Sequence, residues 1–174
     1  SLIKDPVMFV PSVDAESNRQ VNRRVNLGTQ QVASANLYIP FHPFKWWEMQ
    51  HNIYVNALES NFELEGSKNR IANVTYGFNA THTFTLPEKF TLEISGNYDS
   101  PGYWGIAKWE AFGSFNAGLQ KDFGQKWGKL RFSASDLFMT MNWFGATNQP
   151  DINLMVRQSY QMAERTFMLS WTNT

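Results

Sequence analysis

Cysteine is missing from all 174 residues, which excludes a disulfide framework, a thiol nucleophile and a thiolate metal site. Excess charge is missing too: 15 Lys and Arg stand against 15 Asp and Glu, so no basic surface argues for a nucleic-acid partner. No apolar run approaches the ~18 residues of a membrane-spanning helix. The opening stretch "SLIKDPVMFVPSVDAES" lacks the basic start, apolar middle and small-residue cleavage site of a signal peptide. The closing stretch "TFMLSWTNT" stops within a strand-like pattern, so the expectation is a mature or excised piece.

Aromatic residues, by contrast, are abundant at 16%, although the mean hydropathy is only −0.41. Strands with one apolar and one polar face produce that combination. In "ANVTYGFNATHTFTL", Ala72, Val74, Tyr76, Phe78, Ala80, His82, Phe84 and Leu86 alternate with Asn73, Thr75, Gly77, Asn79, Thr81, Thr83 and Thr85. Side chains along a strand point alternately to opposite sides, so one face is apolar and the other polar. At about 3.3 Å per residue the stretch would reach about 50 Å, far beyond an ordinary globular strand.

The same alternation orders the neighbouring segments. Ala33, Ala35, Leu37, Ile39 and Phe41 share a parity with Trp47, Met49, His51, Ile53, Val55 and Ala57, which predicts an antiparallel pair with Phe41 opposite Trp47 and a loop from His42 to Trp46. Leu86 opposite Phe90 aligns Phe84 with Leu92 and Phe78 with Tyr98, and the other face then pairs Thr85 with Thr91 and Asn79 with Asn97. Phe115, Ala117 and Leu119 differ in parity from Leu130, Phe132 and Ala134. An even-numbered loop is therefore required, and Gly124-Gln125 fits a two-residue turn. A last strand runs from about Glu164 to Thr172, with Phe167, Leu169 and Trp171 on one face. "DPVMFVPSV" reads as a short strand broken by Pro11, and "NRQVNRRVN" as a rim or loop.

Tight turns near Pro43, Pro87 and Gly124 alternate with connections read as longer and irregular: "EGSKN", "DSPGYWGIAKWE" and residues 142–161. Outer-membrane barrels are built with such unequal rims, and Phe41, Phe44, Trp46, Trp47, Phe84, Phe90, Phe123 and Trp127 gather at the tight-turn rim as an aromatic girdle would. Soluble sandwiches, lipocalin-type barrels and lectins also alternate. Strand length and a polar face suited to a wet lumen favour the membrane barrel.

Few residues point to chemistry. His51 and His82 have the parity of apolar neighbours and read as packed or interfacial histidines; with His42 they show no zinc-binding spacing. A rim cluster of His82 with Asp122 or Asp136 would suit a hydrolase, but Asp at turns more often serves the local backbone. Lys121, Lys126 and Lys129 read as a solvated turn, and Gly96, Gly113 and Gly118 as permitting sheet curvature. Tyr103, Trp104 and Trp109 are the candidate ligand contacts: their rings either stack on a sugar or other flat ligand or extend an upper girdle. No catalytic residue, cofactor or metal is expected.

Four stretches, "YIPFHPFKWWEMQHNIYV", "FTLEISGNYDSPG", "FGSFNAGLQKDFGQKWGKLRFSASDLFMT" and "AERTFMLSWTNT", resemble in this order the C-terminal strands of the outer-membrane beta-barrel family related to TonB-dependent receptors of Gram-negative bacteria. The most specific part is "LQKDFGQKWGKLRFSASDLF", which is similar to that family's penultimate hairpin: Lys121 precedes the turn, and Ser135, Asp136, Leu137 and Phe138 close the returning strand. The resemblance covers roughly Ser34 to Thr174. Members usually end the final strand with an aromatic residue, whereas this chain halts at Thr174, and a plug domain is absent.

The resulting expectation is all-β: an antiparallel up-and-down meander of about seven or eight long strands, the C-terminal part of a transmembrane outer-membrane β-barrel, with residues 1–174 as a single β domain lacking plug and signal peptide. The resemblance implies a receptor-like transporter taking up a nutrient or surface ligand. Its partners would be outer-membrane lipid, the remainder of the barrel, a plug and, through the plug, TonB; the isolated piece would self-associate or need detergent. The alternatives are a self-contained eight-stranded structural or adhesion barrel and, third, a rim hydrolase.

Overall fold

A computed structural model describes residues 1–14, 19–26, 28–64, 66–104, 106–149, 154–161 and 164–173, with the side chains of residues 8–14, 20, 22, 64, 104, 149 and 154 left out of the description. Its elements are β1 (Leu2–Lys4), β2 (Val7–Asp14), β3 (Arg19–Asn26), β4 (Thr29–Phe44), β5 (Trp47–Leu64), β6 (Ser67–Leu86), β7 (Phe90–Asp99), β8 (Gly102–Trp104), β9 (Ala107–Trp109), β10 (Phe112–Asp122), β11 (Lys129–Ser135), β12 (Asn142–Gln149), β13 (Leu154–Gln161) and β14 (Thr166–Thr172). The all-β, antiparallel expectation holds. Its count does not: among the described residues fourteen strands, not seven or eight, form three sheets.

The principal sheet has eight strands in the order β1-β4-β5-β6-β7-β10-β11-β14, an antiparallel meander whose edges, β1 and β14, are not paired to each other. The two-faced stretch, Ala72 to Leu86, is the C-terminal part of β6, a strand of 20 residues. The β6–β7 register is the expected one on both faces, with Leu86 opposite Phe90, Phe84 opposite Leu92, Phe78 opposite Tyr98 and Asn79 opposite Asn97.

Two other hairpins are corrected by a slip of two residues. Phe41 lies opposite Met49 instead of Trp47, and a bulge then lets Phe44 meet Trp47 across a Lys45-Trp46 turn. Asp122 lies opposite Lys129, and the expected two-residue Gly124-Gln125 turn is a wider reversal in which the Phe123 N–H donates to the Gly128 carbonyl at 2.9 Å. Moving by two keeps every side chain on its own face, so alternation is blind to the difference.

The extra strands come from the connections. β2–β3, β8–β9 and β12–β13 are hairpins inserted between neighbouring strands of the principal sheet. β12 also pairs with β9 through Gly145–Trp109 and Ala146–Lys108, which joins two of the hairpins into a second sheet, β13-β12-β9-β8. "DSPGYWGIAKWE" and residues 142–161 are thus largely strand, not irregular. "EGSKN" is no long loop either, since Leu64 already pairs with Ser67. Residues 7–13 of "DPVMFVPSV" lie in β2 and residues 19–26 of "NRQVNRRVN" form β3, with Pro11 opposite Asn22; in a two-stranded ribbon proline's missing N–H can point away from the partner.

Exposure distinguishes the two faces of the principal sheet. Along β6, Ala72, Val74, Tyr76 and Phe78 are exposed, whereas Asn73, Thr75 and Gly77 between them are more covered. The apolar side is therefore the outer one: Val74 is 58%, Phe132 48% and Leu169 67% exposed. On β5 this face runs from Trp47 to Ala57 before turning polar at Glu59. That length is roughly 34 Å along the strand, or about 26 Å of height at a tilt of about 40°, close to the apolar band of an outer-membrane barrel. Beyond it Arg70 Nε and Glu59 Oε1 pair at 3.1 Å. At the tight-turn end Phe44 stacks on Trp46 (5.3 Å) and Trp47 on Phe84 (5.5 Å). There Lys121 lies over the Phe90 ring and donates to the Glu88 carbonyl, a snorkelling arrangement with an apolar stem and a hydrated head.

Candidate functional site: an aromatic cavity on the polar face

Long side chains on the polar face reach across glycines. Gly77 sits between Tyr54 and Asp99 in the β5–β6–β7 ladder. A Cβ on Gly77 would come within 2.1 Å of Tyr54 Cζ, so the missing side chain is what lets the ring lie across β6. The Tyr54 hydroxyl then donates to Asp99 Oδ1. Asn97 Nδ2 donates to Asp99 Oδ2 at 3.4 Å, and Ser114 Oγ donates to Asn97 Oδ1 at 2.5 Å. Arg131 repeats the device: its Nη2 donates to Glu93 Oε1 at 2.8 Å and passes within 3.1 Å of where a Gly118 Cβ would stand. In both cases the carboxylate belongs to β7.

Above Tyr54 and Asp99 the inserted hairpins close over the sheet. Ser100 joins them to it: its N–H donates to the Tyr76 carbonyl at 2.9 Å, its Oγ accepts from the Tyr76 N–H at 2.9 Å, and its carbonyl accepts the Trp109 indole N–H at 3.1 Å. A Cβ on Gly102 would meet Trp109 Cζ2 at 2.4 Å and Thr75 Cγ2 at 2.5 Å, so glycine is what lets β8 settle between β6 and the indole. Ile106, at the β8–β9 turn, packs with Phe62, Ile71 and Val25 in a small core at the rim.

Between the second sheet and the polar face lies a cavity of about 750 Å³, within the range of small-molecule sites. Tyr54, Asn56, Asn73, Thr75 and Asp99 contribute from the principal sheet, together with Phe112; Tyr103, Trp109, Trp143 and Tyr160 contribute from the hairpins. Trp143 and Tyr160 are ladder partners with ring centroids 5.5 Å apart. Among the described lining residues Asp99 is the one carboxylate, and no Lys, Arg or His is present.

Two of the three expected contacts, Tyr103 and Trp109, line this cavity; the side chain of Trp104 lies outside the described residues. Phe112, Trp143, Tyr160, Tyr54 and Asp99 were not anticipated. One signal for them was available: Tyr54 interrupts the polar row Asn52, Asn56 on its face of β5, and a large ring in a polar row needs a partner.

The histidines lie elsewhere. Trp47 Nε1–H donates to His82 Nδ1 at 3.2 Å, and His82 Nε2 is 3.2 Å from His51 Nε2. With Nδ1 accepting, a neutral His82 carries its proton on Nε2 and donates it to His51. This chain satisfies polar atoms on the apolar face, among Phe78 and Phe84. It meets neither Asp122 nor Asp136. Asp122 Oδ1 accepts from the Gly124 N–H at 2.7 Å, and Asp136, 2% exposed, accepts from the N–H groups of Thr140 (3.0 Å) and Met141 (3.2 Å). Both carboxylates hold turns.

Comparison with known proteins agrees with this architecture. The model of the Outer membrane protein beta-barrel family matches residues 2–172. No curated protein and no solved structure was found to match the chain. Long two-faced strands, an outward apolar band, a turn-side aromatic girdle and this match over almost the full length lead to one conclusion: the chain belongs to the outer membrane protein β-barrel family and resides in the bacterial outer membrane.

Proposed function

We propose that the chain is the C-terminal barrel segment of a TonB-dependent receptor-like transporter, and that the aromatic cavity receives the incoming nutrient or surface ligand. The observation carrying this reading is the cavity's position, between the polar face and a lid of two joined hairpins. A purely structural wall has no use for four rings gathered over a Tyr–Asp pair. The apolar face meets lipid, edges β1 and β14 continue into the rest of the barrel, and a plug couples transport to TonB. Its role is non-enzymatic, with no cofactor.

The eight strands of the principal sheet favour a second reading, a self-contained structural or adhesion barrel. That barrel requires β1 to pair with β14. The two readings separate on a cross-link: with Ile3→Cys and Ser170→Cys in the otherwise cysteine-free chain in its native membrane, the transporter reading expects no intramolecular disulfide. Efficient closure of that disulfide would establish the small barrel, and ligand uptake that persists after collapse of the proton-motive force would remove the TonB-dependent mechanism.

A further inference from the structure

We infer that the cavity takes a neutral oligosaccharide of about two or three sugar rings, an assignment that rests on reading the cavity as the ligand site. Tyr103, Trp109, Trp143 and Tyr160 offer aromatic faces. A pyranose ring packs its C–H face on such surfaces while its rim of hydroxyls needs donors and acceptors at the same depth. The floor supplies both. Among the described residues Asp99 Oδ2 receives only the 3.4 Å contact from Asn97, which leaves that oxygen able to accept further hydroxyls. Asn56, whose side-chain amide can donate, lines the same floor.

Charge narrows the class. An anionic ligand would meet Asp99 with no Lys, Arg or His among the described lining residues to compensate, and like charges in a partly dry site repel strongly. A flat ligand without hydroxyls would stack on the rings but leave the Asn56 amide and the Asp99 carboxylate desolvated and unmet. A neutral sugar satisfies rings, donor and acceptor together.

The test uses the full chain in detergent micelles, followed by tryptophan fluorescence and calorimetry. The probes are maltotriose, cellotriose and triacetylchitotriose as neutral trisaccharides, trigalacturonate as the anionic one, and riboflavin as a flat aromatic. At least one neutral trisaccharide is expected to bind at least tenfold more tightly than trigalacturonate. Tyr160→Ala, which truncates an exposed ring, is expected to weaken that binding about tenfold with circular dichroism unchanged, and Asp99→Asn to narrow the neutral-to-anionic gap to under threefold. Tighter binding of trigalacturonate or riboflavin than of every neutral trisaccharide would overturn the saccharide assignment while leaving the cavity as a ligand site. Neutral binding untouched by Tyr160→Ala would place the sugar elsewhere and overturn it too. Silence with every probe would overturn both the assignment and the cavity as a ligand site.

Discussion

Glycine on the polar face acts as a slot. At Gly77 an added methyl group would lie 2.1 Å from Tyr54 Cζ, with the ring itself in the way, whereas at Gly118 the nearest atom, 3.1 Å off, is the tip of the flexible Arg131 side chain. The two positions should therefore differ. Gly77→Ala is expected to cost about 1–3 kcal/mol, the range for overpacking, and Gly118→Ala under about 1 kcal/mol, since the guanidinium can give way by a few tenths of an ångström. Urea unfolding from detergent micelles reads both. If Tyr54 is the obstacle, Gly77→Ala in a Tyr54→Ala background should lose most of its cost, because contacting residues are not additive. An unchanged cost there would mean that the backbone of β6, not the ring, resists the methyl group.

Within the strands, periodicity carries information only modulo two. Phe41 opposite Trp47 and Phe41 opposite Met49 give the same faces, and what selects the second is the bulge before Phe44, which lets Phe44, Trp46 and Trp47 stack at the turn. The absence of cysteine makes the register directly testable. Leu37 lies opposite Ile53, so Leu37→Cys with Ile53→Cys should form a disulfide in the oxidising environment of the outer membrane. Leu37→Cys with His51→Cys, the pair that the slipped register would bring together, should not, since a displacement of two residues adds roughly 7 Å along the strand. Preferential cross-linking of the second pair would reinstate the shorter hairpin. The girdle and the β6–β7 register were legible because each has a second constraint: aromatics cluster near the turns, and Pro87 leaves a short loop whose length both faces must obey.

The chain as a body places apolar side chains outward and polar ones inward, the reverse of a soluble protein, and this orientation sets the response to charge. Ile53 lies near the middle of the outward band on β5, and Asn79 is on the opposite face of β6. Ile53→Arg is expected to destabilise the protein in lipid by about 2–4 kcal/mol, the cost of a cation near the bilayer midplane. Asn79→Arg, facing water, should change stability by under about 1 kcal/mol. Equal costs at the two positions would contradict the lipid-facing assignment. Removal of detergent should likewise drive self-association, because exposed apolar surface in water costs roughly 25 cal/mol per Å²; a monodisperse detergent-free monomer in light scattering would argue for an ordinary soluble sheet.

From the residues alone came the β class, the two faces, the parity of the β4–β5, β6–β7 and β10–β11 hairpins and the tight turns at one rim, all local properties of alternation and turn composition. Tyr103 and Trp109 stood out there as rings on a connection. The cavity itself was not legible, because it depends on β9 meeting β12 through Lys108 and Ala146, on Tyr54 crossing Gly77 to Asp99, and on Trp143 and Tyr160 being carried over the polar face. Those contacts join segments with no repeat or spacing in common. Alternation decides which way a side chain points, but which distant side chain it meets is decided by how hairpins pack, and that is where the site of this protein was made.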